Sequence, residues 1–65
     1  MRIVAYTKHG LFEGKEEPPG TQLHELRELL IESVSKGEGL SFETESGSVH
    51  IPNEIVKDSI FLVEK

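Results

Sequence analysis

The chain has 65 residues, no cysteine and a formal charge of −5, with 7 basic residues against 12 acidic ones. That length allows one domain, 1–65, and the missing cysteines exclude disulfides and thiolate zinc sites. The basic residues Arg2, Lys8, Lys15, Arg27, Lys36, Lys57 and Lys65 are never adjacent, so neither nucleic acid nor an anionic membrane surface is an expected partner.

Residues 2–7 carry Ile3, Val4, Tyr6 and Thr7, which favour a strand. Its apolar side chains fall on both faces, so both faces are expected to be covered. No apolar leader precedes it and no run approaches the ~20 apolar residues of a membrane span. The chain therefore reads as complete and cytoplasmic.

Residues 8–20 read as a long connection broken by Gly10, Gly14, Gly20 and Pro18-Pro19. Leu11 and Phe12 within it have two readings. They fold back on the core, either as a lid or as a short strand at the loop's start, or they form an exposed apolar anchor for a partner.

Residues 21–36 are predicted to be the one long helix. Thr21 is the expected N-cap, with His24 standing where a capping box would place Glu or Gln. Leu23, Leu26, Leu30 and Val34 recur at helical spacing, widened by Leu29 and Ile31. Glu25, Glu28 and Glu32 form an acidic face that suits a basic partner or simple solvation. Glu32 and Lys36 are an i,i+4 pair, and Gly37 is the expected stop. Arg27 lies inside the apolar arc, as a stem at the sheet margin or as a partner for a carboxylate.

Residues 40–51 predict a hairpin with Ser46-Gly47 as its turn. That register pairs Phe42 with Ile51 and Thr44 with Val49, and sets Glu43 beside His50 on the other face. Pro52 ends the strand, Asn53 caps a short turn over 53–57, and 60–64 form a last strand, apolar on both faces. Gly47 to Ile55 resembles a segment of the AbrB/MazE swapped-hairpin DNA-binding fold. The resemblance stops at Val56-Lys57-Asp58-Ser59-Ile60. The outward residues Glu43, Ser48 and His50 are not basic, so no DNA-contacting residue is carried over.

The expected fold is α+β: a small β-α-β-β-β domain whose mainly antiparallel sheet carries one long helix on one face. The first and last strands are expected at its centre. One helix covers one face, so a second face drawn from Val4, Tyr6, Phe61 and Val63 is expected to be covered by the 8–20 loop, by self-association with a second copy, or by a different partner.

His24–Glu28 and Glu43–His50 supply at most two ligands each, so no metal or cofactor is expected. No serine sits in a nucleophile-elbow motif, and Gly20-Thr21 lacks a phosphate-loop pattern. No enzyme activity is expected. The leading expectation is a protein-protein interaction module, a regulator or inhibitor of a larger protein, with a homodimer among its forms. The alternatives are swapped-hairpin DNA binding and small-ligand binding at a dimer interface.

Overall fold

The computed structural model describes residues 1–65. Strand β1 (Arg2–Thr7) is followed by β2 (Gly10–Glu13), helix α1 (Leu23–Lys36), β3 (Leu40–Thr44) and β4 (Gly47–Ile51). A single-turn helix α2 (Asn53–Val56) and strand β5 (Ile60–Glu64) complete the chain. The fold is α+β, every strand pairing is antiparallel, and α1 packs against the sheet.

The strands form two sheets instead of one, ordered β2-β1-β5 and β3-β4. They meet where the chain leaves β2. The Gly14 N–H donates to the Ile3 carbonyl at 2.7 Å, and the Lys15 N–H donates to the Glu43 carbonyl at 2.8 Å. A Cβ on Gly14 would stand 2.9 Å from the Ile3 oxygen and 3.3 Å from the Phe42 ring. A side chain there would push β1 and β3 apart.

The two hairpins close on the same chemistry, Thr7-Lys8-His9-Gly10 and Thr44-Glu45-Ser46-Gly47. The Thr7 hydroxyl donates to the Gly10 carbonyl and accepts from the His9 N–H, both at 3.0 Å. Thr44 does the same with the Gly47 carbonyl at 3.0 Å and the Ser46 N–H at 3.2 Å. A threonine that locks its own turn in this way is a local device that competes well with other turn placements.

This turn corrects the expected register. Glu45-Ser46, not Ser46-Gly47, is the bend, and Phe42 faces Val49 while Leu40 faces Ile51. The slip is two residues, so every side chain keeps its face and the hydrophobic pattern reads identically in both registers. Of the readings for Leu11 and Phe12, the short strand at the start of the 8–20 segment is the one found: both lie in β2, opposite Tyr6 and Ala5.

Helix α1 begins later than expected. Gln22 is the N-cap, and the Glu25 carboxylate accepts its N–H at 3.1 Å. Thr21 lies outside, its N–H donating to the Pro18 carbonyl at 3.2 Å. The helix ends as expected at Gly37, in the left-handed region with φ 68°. In α2 the Pro52 carbonyl accepts from the Ile55 and Val56 N–H groups, both at 3.0 Å. Asn53 is thus the first helical residue and not the cap.

The core draws one or two residues from most elements: Ile3 and Ala5, Leu26, Leu40, Ile51 and Val56. Phe12, Leu30, Phe42, Val49 and Phe61 pack around its centre. Strand β1 is central as expected, whereas β5 is an edge strand. No helix is long and apolar enough to cross a membrane.

Candidate functional site

Register determines which side chains share the open face of the three-stranded sheet. Ala5 pairs with Phe12 and Phe61, and Ile3 with Val63, which places these residues on the core side with α1 and the second hairpin. The alternate residues face away. Tyr6 lies between Leu11 and Ile60, Val4 between Glu13 and Leu62, and Arg2 beside Glu64.

The outer face is therefore an apolar row with a charged end. Tyr6, Leu11, Ile60 and Leu62 are 48%, 53%, 71% and 43% exposed, while Val4 at their centre is buried. Arg2 closes the end of the row. Its Nε lies 2.8 Å from Glu64 and a terminal nitrogen 3.5 Å from Glu13. The hydrogen bond to Glu64, with the field of Glu64 and Glu13, holds the Arg2 guanidinium's proton above its ordinary affinity. The N-terminal amine pairs in turn with Glu16.

The other expected site residues scatter. Val4 and Tyr6 face outward, but Phe61 and Val63 face the core, so the expected self-association set divides between two surfaces. Leu11 joins the outer row while its neighbour Phe12 turns inward. Ile60 and Leu62 belong to the outer face and were not expected there. Only the pairing of β5 with β1 reveals them, because β5 is apolar on both sides.

On α1, two of the three acids are occupied locally: Glu25 caps the helix and Glu32 lies 2.7 Å from Lys36. Glu28 has no ionic partner, and Arg27 is exposed and free of any carboxylate. The Lys36 hydrogen bond lowers the Glu32 pKa and raises that of Lys36. The pair's contribution is thus present at neutral pH. It is lost as pH falls through the lowered Glu32 value or rises through the raised Lys36 value. Lys36→Gln is expected to return the Glu32 carboxyl to the ordinary glutamate range, read by side-chain NMR titration. An unmoved midpoint would show that the pair does not persist in solution.

Glu43 and His50 are not paired across the hairpin. Glu43 faces Ser48, and His50 faces Ser41, whose hydroxyl lies 2.6 Å from Nδ1. Either group can donate, depending on the imidazole tautomer. Both are exposed, and His50 lines a small cavity of about 160 Å3 with His9, Thr7 and Phe12.

The largest concavity, about 770 Å3, lies between the hairpins, with Phe12, Glu13, Glu45 and Val49 among its lining residues. No three His, Cys, Asp or Glu side chains converge where a metal ion could sit. The surface thus carries an apolar row with carboxylates at its margin, and on α1 a guanidinium without an ionic partner. Compared with protein-family models, curated proteins and solved structures, the chain matches none of them.

Proposed function

We propose that the protein is a non-catalytic interaction module that binds another protein through the outer face of its three-stranded sheet. One observation carries the reading: Tyr6, Leu11, Ile60 and Leu62 stand exposed around the buried Val4 on the sheet face opposite α1 and the second hairpin. Contiguous apolar surface with a polar rim is the usual mark of a protein-binding patch. Glu13 and Glu64 beside it, and a chain charge of −5, favour a partner with basic residues around an apolar centre. A module of this kind acts as a regulator or inhibitor by occupying a surface of a larger protein. A cysteine-free chain suits the cytoplasm.

The test is quantitative affinity capture from the cells that make the protein, with wild type, Leu11→Glu and Ile60→Glu compared. Both positions are exposed, so the variants are expected to fold. Proteins held by the wild type and lost from both variants are the expected result. An unchanged set of captured proteins would remove the outer face from the reading.

A further inference from the structure

We infer that β5 is the contact strand of a homodimer, pairing antiparallel with β5 of a second copy while the exposed flanks of the two α1 helices meet. The first support is the direction of the backbone groups. The Gly14 N–H donates to the Ile3 carbonyl, so Ile3 and Ala5 direct their backbone groups toward β2. Successive residues in an antiparallel strand alternate sides. Arg2, Val4 and Tyr6 therefore face β5, and their partners Glu64, Leu62 and Ile60 answer them. Phe61 and Val63 are left with N–H and C=O groups at the free edge of the sheet.

That edge is lightly guarded, its one charge, Glu64, standing at the end of the strand. Ile60-Phe61-Leu62-Val63 contains no proline, charge or bulge. Beside it lies the second support. Arg27, Leu30, Ile31 and Val34 line an open depression of about 400 Å3 with Phe61. Ile31 is 57% exposed and Val34 42% exposed. The apolar flank of α1 and the bare edge of β5 thus form one continuous surface.

A second copy fits this surface better than a foreign strand. In an antiparallel pair centred on Leu62, Phe61 meets Val63 of the copy and Leu62 meets Leu62. Ile60 meets Glu64, whose charge Arg2 already engages within its own chain. Glu25 and Glu32 project from the opposite side of α1 to Arg27 and Val34; Glu28, one turn before Ile31, is the acid that borders this flank, and the adjacent Arg27 carries the opposite charge. A stable dimer needs about 800 Å2 from each partner, more than one short strand supplies. The two-fold copy adds the helix flank, which an added peptide strand would leave bare. Such a pair also closes on itself and ends growth at the edge.

The dimer and the outer face share Ile60 and Leu62 on β5, but they are distinguishable: Ile31 and Val34 on α1 belong to the dimer contact alone, and Leu11 on β2 to the outer face alone. Sedimentation at micromolar concentration, with amide hydrogen exchange by NMR, tests it. The expected result is a dimer in which the Phe61 and Val63 amides are protected. Ile31→Glu, at an exposed site, is expected to give a folded monomer by circular dichroism, with protection lost at those two amides and kept at Ile60 and Leu62. Leu11→Glu is expected to leave the dimer intact. A monomeric wild type overturns the inference. So does a dimer with unprotected Phe61 and Val63, one that survives Ile31→Glu, or one broken by Leu11→Glu.

Discussion

Gly39→Ala is expected to lose about 3–5 kcal/mol of folding stability. Two costs combine. Gly39 has φ 78°, and a residue with a Cβ in that region costs about 1–2 kcal/mol. The added Cβ would also stand 2.4 Å from the Ile51 carbonyl oxygen and 3.2 Å from the Asn53 nitrogen. Both are backbone atoms, held by the β3-β4 ladder and the start of α2, so the strand or the turn must move. At roughly 0.05–0.15 kcal/mol per residue, a chain of 65 residues has about 3–10 kcal/mol in all. Each kcal/mol lowers the melting temperature by about 4–8 °C in a domain this size, so a fall of more than about 12 °C is expected. Gly20→Ala is the control: φ is 95° and nothing lies within 4 Å of the new Cβ. It carries only the conformational cost. Equal losses in the two variants would show that close approach at Gly39 is unimportant.

Leu40→Ala is expected to cost about 2–5 kcal/mol, the range for a buried leucine that leaves a cavity. Leu40 is 4% exposed, lies opposite Ile51 and belongs to the cluster with Ala5 and Val56. It joins the second hairpin to the first sheet and to α2, so few neighbours can relax into the space. Ile60→Ala, at a site 71% exposed, is expected to change stability by no more than about 0.5 kcal/mol at low protein concentration. Urea unfolding of both variants reads the difference. Comparable losses would mean that Ile60 is covered in solution.

The helix was legible because its signals are local and redundant: leucines at helical spacing, a Glu32–Lys36 pair and Gly37 at the end. Its start was less so. Thr21 is the better cap by side-chain chemistry, but Gln22 takes the position with Glu25 reaching back to its N–H. Strand β2 was legible only as one of several readings, because it is four residues long, begins on Gly10 and is followed by Gly14 in a segment with little strand signal. The hairpin register was missed for a different reason. A two-residue slip leaves the apolar pattern unchanged, and the deciding interaction was the Thr44 hydroxyl closing its own turn.

The candidate site was half legible. That a second sheet face lacks a covering layer follows from one helix and doubly apolar strands. The membership of that face did not follow. Val4 and Tyr6 were placed correctly on the outside, but Phe61 and Val63 were grouped with them and Ile60 and Leu62 were omitted. With apolar residues at four successive positions of β5, Ile60 to Val63, periodicity carries no information about its faces.

Local chemistry thus determined the elements of this protein: which residues make the helix, where Gly37 stops it, which runs are strands and how few charges could serve a nucleic acid. Those choices depend on neighbours within a turn or two along the chain, and the sequence displays them. The tertiary structure decided the rest: two sheets joined at Gly14, β5 at an edge, Tyr6, Leu11, Ile60 and Leu62 in one exposed row. Each depends on which distant strand supplies a backbone partner. Strands that are apolar on both faces bury well in either orientation, so only the assembled pairing of β1 with β2 and β5 selects the face that remains open.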